Sequence, residues 1–541
     1  MFQFLTRRRP SGVPVEPAAA MLTRANARSG VLRRAGPYLL LLAVSLPALL
    51  LRLGSFPAPW HDEGSRTNAA RTLAERGVFG TYTSTGLRPF DPYVTSGPAD
   101  VLAVAASFKL LGTGLVQARL AILPFALLAV LSLFGVANYA YGAKFGLITA
   151  LMVLGAPAFE GVSLLLLGRQ VLGEVPSLAL VLAGLYLWFR TWTGKSHWLV
   201  SILAGLAIGL GLLSKTSIGL ALLPALGLVA VGRWWIQRSH WFQQLAPIGL
   251  SVGVLAVWRL LEYLNTPPAI YAENVATLAD AVRTLILIKP GWGTPSAGEL
   301  LLTGIMLLGA CGGAWRMFGA GRSLRLATDA QWAELTLALI AGSYAVWYGL
   351  LSIGWPRYAF FGAVIGLLLV TRSGLGLLQF VYHKVTPAGP AGSPKLFYLS
   401  MAAIALVAVG VNTWPILANP GDDGAEQVAR FVDTQIPQQA VIETWAWELD
   451  TLTGHWQFHH PAAAYEYLAD RQWFIEHTGF NLNYDLLKPN PDFLITDAFS
   501  DWTGIYDAQI VQQHFVLVAE YGSYRIYERI GHGSLGAPGL S

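Results

Sequence analysis

Trp60-His61-Asp62-Glu63-Gly64 closes the first long apolar run of the chain and opens a stretch of about thirty mostly polar residues. Two adjacent carboxylates beside a tryptophan suit two kinds of chemistry. A carboxylate within hydrogen-bond reach, about 2.6–3.2 Å, of a hydroxyl can take its proton as that oxygen attacks. Hard oxygen ligands also suit a divalent cation such as Mg²⁺ or Mn²⁺. Adjacent acids at a helix end are commonly just a solvated loop, so the pair gains meaning from what converges on it.

Other ionisable residues sit at the ends of apolar runs, where charge is costly unless solvated or used. They are Arg169 and Glu174 in the turn 168–174, Lys215 after Ser214, and Arg357-Tyr358 after Gly354. An acid with two or three cations on one face fits transfer of a group from a phosphate. The base serves the incoming hydroxyl, and the cations neutralise the departing phosphate. Each also has a plainer reading: a loop ion pair for Arg169 and Glu174, an interfacial anchor for Lys215, an aromatic belt residue for Tyr358. Arg259 and Glu262, three apart, read as a helix-face ion pair. Glu160 is expected to face a bundle interior. The run His455 to His460 lacks the ligand spacing of a metal site. No glycine-rich phosphate loop follows a strand, which disfavours a soluble nucleotide sugar.

The elements that must hold these residues follow from composition. Of 541 residues, 54% are hydrophobic and only 12% charged, about half the charge of a soluble domain. The class is an α-helical polytopic membrane protein. The formal charge of +5 comes from basic residues scattered between apolar runs, so it marks topology and not a nucleic-acid face. Eleven runs read as spans, near 37–55, 115–139, 146–167, 175–190, 197–213, 216–235, 242–262, 298–316, 331–353, 355–372 and 397–417. Residues 1–36, with seven arginines and one glutamate, read as a basic cytoplasmic tail. The even-numbered loops then carry the Lys and Arg of the cytoplasmic side. The polar loop 55–114, with an amphipathic segment 65–78 and a short apolar helix 99–111 laid on the membrane, falls outside. So do residues 419–541, which hold 17 of the 31 acids against five bases. A helix over 425–433, strands over 440–444 and 493–496 and a hairpin around Tyr521-Gly522 make this a small α/β extracytoplasmic domain. The membrane domain spans 37–418 between them.

With these residues in place, a resemblance is visible. The Trp60 to Gly64 segment, Phe108-Lys109-Leu110-Leu111-Gly112 with Ala118-Arg119-Leu120, the turn Gly168-Arg169-Gln170 to Glu174-Val175-Pro176, Gly211 to Lys215, and Pro356-Arg357-Tyr358 resemble the C-type (GT-C) membrane glycosyltransferase superfamily. The nearest branch is that of the protein mannosyltransferases and aminoarabinose transferases. The likeness covers most of 37–372, and it rests on the order and spacing of motifs that are individually weak.

The resemblance implies an inverting glycosyltransferase of a bacterial-type inner membrane. It would move a sugar from a polyprenyl-phosphate carrier to a lipid, glycan or protein acceptor at the outer face. Asp62 corresponds to the family's catalytic base with Glu63 as its neighbour, and Glu174 to the second-loop acid, where the family more often has Asp. Arg169, Lys215 and Arg357 are the phosphate candidates, with Tyr358 and His61 in the substrate-binding set. A metal on Asp62, Glu63 and Glu174 stays open, because related branches differ. Where many members carry His-Pro-Pro or Lys-Pro-Pro, this chain reads Thr95-Ser96-Gly97-Pro98, which points to a different acceptor class. Two alternatives stand beside this one, a lipid-carrier flippase and a non-catalytic glycolipid-binding protein. A flippase of the repeat-built kind would show internal repeats, and none is visible.

Overall fold

The computed structural model describes residues 35–92, 98–157, 162–193, 198–287, 295–318, 323–385, 394–419, 421 and 423–531. The basic tail up to residue 34, Thr95 to Gly97 and Glu160 lie outside the described residues. A helix stands at each of the eleven expected positions: α1 (Ala35–Leu50), then α4 (Leu115–Tyr141), α5 (Ala143–Leu154), α7 (Glu174–Thr191), α8 (Trp198–Ser214), α9 (Gly219–Gln237), α10 (Trp241–Asn265), α12 (Ala297–Phe318), α13 (Asp329–Leu350), α14 (Pro356–Val385) and α15 (Pro394–Ala418). Among the described residues, seven helices are long and apolar enough to cross a membrane, and α1, α5 and α8 are shorter apolar ones. The chain is an integral membrane protein.

One expected span is corrected. The run 146–167 does not form a continuous helix. It ends as α5 at Leu154, passes Gly155-Ala156-Pro157, and resumes as the single turn α6 (Leu164–Leu167). Proline cannot supply the N–H that would continue α5, and its ring crowds the preceding turn.

The bundle core is close-packed around Phe134, Trp188, Phe189, Tyr344, Tyr348 and Phe360, all fully buried. Small residues let backbones approach, as membrane helices require. A Cβ on Gly309 of α12 would stand 2.6 Å from the Gly366 carbonyl oxygen of α14.

At one end of the bundle lie α2 (His61–Arg76), the hairpin β1 (Gly80–Thr83) and β2 (Gly86–Pro89), α3 (Pro98–Leu111) and α11 (Pro268–Ala281). α2 begins on extended Trp60, carries Asp62 and Glu63 in its first turn, where acids complement the helix dipole, and ends on left-handed Gly77. The expectation that 65–78 lies on the membrane is corrected. Ser65 to Thr72 are all buried, because α2 is sandwiched between α3 and the C-terminal sheet region.

That region comprises α16 (Gly424–Gln435), β3 (Ile442–Thr444), α17 (Leu449–Leu452), β4 (Phe458–His459), α18 (Ala463–Arg471), β5 (Phe493–Thr496), α19 (Ala498–Thr503), α20 (Ala508–His514) and the hairpin β6 (Phe515–Tyr521) and β7 (Tyr524–Arg529). Strand order is β4-β3-β5-β7-β6. β3 runs parallel to β4 and β5, and β7 antiparallel to β5 and β6. Ala425, Val428, Ala429 and Val432 form the apolar stripe of α16, and Ile442, Phe493, Ile495 and Ile526 face it from the sheet. The helix and strands fall where the hydrophobic periods place them.

Candidate active site

The bundle end gathers charge by bringing helix termini together. Glu174 is the first residue of α7, and Lys215 follows the last residue of α8. Their meeting depends on Gly173, where a Cβ would stand 2.0 Å from the Ser214 carbonyl oxygen. Lys215 Nζ then donates to Glu174 Oε1 at 2.8 Å. Asp62 in the first turn of α2 accepts at Oδ2 from Arg357 Nη2 at the start of α14. The Arg357 guanidinium lies between two indoles, 4.5 Å from the Trp60 ring centroid and 4.5 Å from that of Trp355. Its Nε is buried and has no hydrogen-bond partner. Lys215 Nζ sits 5.3 Å from the Tyr358 ring.

Asp62, Glu174, Lys215, Arg357 and Tyr358 therefore line a single cavity of about 150 Å³. Four further charged or phenolic groups enter it that the sequence did not single out: Arg66 of α2 and Glu466, Tyr467 and Asp470 of α18. Arg66 follows Asp62 by four residues, one helical turn on, a spacing that puts both on one face of α2. It is held by Asp100 of α3 at 2.5 Å. Nothing local in α18 announces that its acids reach a site formed some four hundred residues earlier.

Three expected site residues stand elsewhere. Glu63 faces away from the cavity and is fully buried, its two oxygens accepting from Arg119 Nε at 2.9 Å and Nη2 at 2.6 Å and one also from the Val171 N–H at 2.9 Å. Successive helix residues diverge by about 100°, so Asp62 and Glu63 cannot serve one point. Arg169 donates to the carbonyls of Ala48, Leu51 and Phe56. It satisfies the unpaired carbonyls where α1 ends and is not among the cavity's lining. His61 also turns outward from that cavity, Nδ1 on the Trp445 carbonyl at 2.9 Å and Nε2 on Glu466 Oε2 at 3.2 Å.

The proposed metal set is corrected with Glu63, since Asp62, Glu63 and Glu174 do not meet. His61, Asp62 and Glu466 offer ligand atoms within 4.8 Å of one another. Burial lowers the His61 imidazolium's proton affinity, but Glu466 and Asp62 outweigh it and push its pKa up to about 9. At neutral pH His61 donates to Glu466 instead of presenting a lone pair, and Asp62 is already held by Arg357. The trio suits a proton-holding cluster better than a cation, and no step below runs through a metal. Burial pushes the Asp62 carboxyl up, but Arg357, His61 and Lys215 together hold it below the ordinary carboxylate range. Asp470 goes the other way, raised well above that range by burial and by Glu466 and Asp62 beside it.

The remaining expectations resolve into local structure. Arg259 and Glu262 pair at 2.5 Å. His455, His459 and His460 diverge to the Ala440 carbonyl, Glu443 and Asp450.

A helical bundle with charged helix ends meeting under a small C-terminal sheet has clear counterparts among solved structures. ArnT from Cupriavidus metallidurans bound to undecaprenyl phosphate is 14% identical and superposes with a TM-score of 0.59 over 93% of this chain and 100% of its own. This is the C-type glycosyltransferase fold. The GT-C likeness extends to the archaeal oligosaccharyltransferase AglB from Archaeoglobus fulgidus in complex with an inhibitory peptide and a dolichol-phosphate. It is 11% identical, TM-score 0.53, over 92% of this chain and 75% of that one. The family profile of the dolichyl-phosphate-mannose-protein mannosyltransferases, a GT-C group, matches residues 96–258. No curated protein matches the chain by sequence.

Proposed function

We propose that this chain is an inverting glycosyltransferase that moves a sugar from a polyprenyl-phosphate carrier to an acceptor hydroxyl at the outer face of a bacterial-type inner membrane. The observation that carries the reading is the cavity itself, in which a depressed carboxylate, Asp62, stands with three cations, Arg66, Lys215 and Arg357. Asp62 uses Oδ2 for Arg357, and its other oxygen takes no hydrogen bond from a described residue. That oxygen is available to the acceptor O–H.

In this reading the acceptor hydroxyl gives its proton to Asp62 as its oxygen bonds to the anomeric carbon. The bond from that carbon to the phosphate oxygen breaks with its electron pair on the phosphate, and a single displacement inverts the anomeric centre. Lys215 has two N–H groups beyond the one given to Glu174, and Arg357 has its free Nε–H; both stabilise the charge arriving on the phosphate. Glu174 positions Lys215 and does not itself meet the acceptor. The carrier's tail lies along the lipid-exposed flanks, and the ligands of the two similar structures, undecaprenyl phosphate and dolichol-phosphate, are of that class. The seven arginines of residues 1–36 support a cytoplasmic N-terminus in this reading.

The test supplies labelled sugar either on a polyprenyl phosphate or on a nucleotide to the protein in lipid nanodiscs. Transfer from the lipid-linked donor is expected, with the donor KM raised about 10- to 100-fold by Lys215→Met, the loss of one charge-assisted bond to phosphate. Turnover with the nucleotide sugar alone would end the proposal.

A further inference from the structure

A second cavity, of about 390 Å³, lies on the other side of Asp62. Asp62, Trp355, Glu466 and Asp470 line both cavities, so the acid is a shared wall, with Arg66, Lys215 and Arg357 on one side and His61 on the other. The second cavity is lined by five carboxyl groups, Asp62, Glu448, Glu466, Asp470 and Asp497, by His61, whose ring nitrogens meet the Trp445 carbonyl and Glu466, and by no lysine or arginine among the described residues. Most of its remaining surface is aromatic. Trp60 and Trp355 come from the bundle end, and Phe474, Phe499 and Trp502 from the C-terminal region, the rings of Phe499 and Trp502 having centroids 6.0 Å apart.

Glu448 shows that this lining is incomplete. Its side chain is buried, with only 4% of the residue exposed. Oε1 accepts from the Tyr524 hydroxyl at 2.8 Å, whereas Oε2 has no hydrogen-bond partner. A buried carboxyl oxygen left this way costs free energy that a bound donor or acceptor would return. Burial and the neighbouring Asp497 push Glu448 up to about 8, so at neutral pH it carries a proton and can donate. Asp470 is raised as well.

Flat indole faces beside carboxyl groups match the two faces of a sugar. The C–H groups of the ring bury apolar area on tryptophan, and the rim hydroxyls both donate and accept. An anionic group would meet five carboxyls against one imidazolium, His61, already given to Glu466, and a cation would find Glu448 carrying a proton and Asp62 held by Arg357. We propose that this second cavity is the acceptor site and that the acceptor presents an uncharged sugar ring to it. The inference rests on the transfer reading above and names its acceptor class. A hydroxyl of that ring reaches Asp62 from the aromatic side while the phosphate leaves toward Lys215 and Arg357.

The test uses the full-length chain in nanodiscs and titrates methyl glycosides of mannose, glucose and N-acetylglucosamine, with methyl glucosaminide as the cation and methyl glucuronide as the anion. Binding of undecaprenyl phosphate is measured in parallel. At least one neutral glycoside is expected to bind about tenfold tighter than both charged ones. Trp502→Ala, at a position 46% exposed and so tolerant of truncation, weakens that binding about tenfold and leaves the lipid-phosphate affinity unchanged. Glu448→Gln, which keeps volume and a donor, keeps binding within about threefold, and Glu448→Leu loses it. Preference for a charged glycoside, no binding of any, or indifference to Trp502→Ala overturns the proposal. Failure of undecaprenyl phosphate to bind would instead count against the donor reading.

Discussion

Asp62→Asn separates chemistry from scaffolding. The amide keeps the volume and can still accept a hydrogen bond, but it cannot take the acceptor's proton. Removing a positioned general base costs about 10²- to 10⁴-fold in rate, or about 3–5 kcal/mol of barrier. The structural cost is smaller. Arg357 loses its carboxylate but stays between Trp60 and Trp355, each face worth about 0.5–2 kcal/mol. Because the Asp62 side chain is 22% exposed, the broken pair costs about 1–2 kcal/mol of stability after screening. The variant is therefore expected to fold and bind donor but barely turn over. The assay is transfer of labelled sugar from lipid-linked donor, normalised to folded protein by thermal midpoint and gel filtration. With Asp62 depressed, the wild-type rate loses its base only as pH falls below the ordinary carboxylate range. A kcat within threefold of wild type, or a wild-type rate that rises through a pKa near 6–7, would show that another group is the base.

Three further outcomes follow from buried charge. Glu63→Gln leaves fully buried Arg119 without its carboxylate and is expected to cost about 3–5 kcal/mol of stability, read as a lowered thermal midpoint, while the folded fraction keeps kcat within about threefold; a dead but stable variant would return Glu63 to the chemistry. His61 rises from 6.5 to about 9 on folding, so its contribution, on the order of 3 kcal/mol, is complete below pH 6.5 and lost as pH climbs through 9; His61→Gln should flatten that decline in a midpoint-versus-pH series. Glu448 has the opposite sign, since an acid raised from 4.5 to about 8 ionises first in the unfolded chain. Stability then falls between pH 4.5 and 8, and Glu448→Gln should be more stable than wild type at pH 8 by a few kcal/mol and equal to it at pH 4.

Sequence period and composition located the long helices of the bundle, though not the break after Leu154, because lipid leaves so few backbone solutions. The same logic picked out Asp62, Glu174, Lys215 and Arg357, charges at the ends of apolar helices that line one cavity. It misplaced Glu63 and Arg169 because both are charges at helix ends as well, and burial against Arg119 or against backbone carbonyls leaves no mark in spacing. Adjacency misled most directly at Asp62-Glu63, where neighbours in the chain point to different partners. The contribution of α18 was beyond local reading, since its register against α2 is set by contacts 405 residues apart.

The seam between α2 and the C-terminal region is unusually tight. A Cβ on Gly64 would stand 2.1 Å from the backbone nitrogen of Glu448, and Asn68 and Arg71 bond to Asp450 across the same line at 2.6 Å each. The helix that bears the acid is thus made well before the segment it packs against. A half-made polypeptide already carries Asp62 yet lacks the α18 wall of its cavity. Under the transfer reading proposed above, the site stays incomplete until that segment has been made.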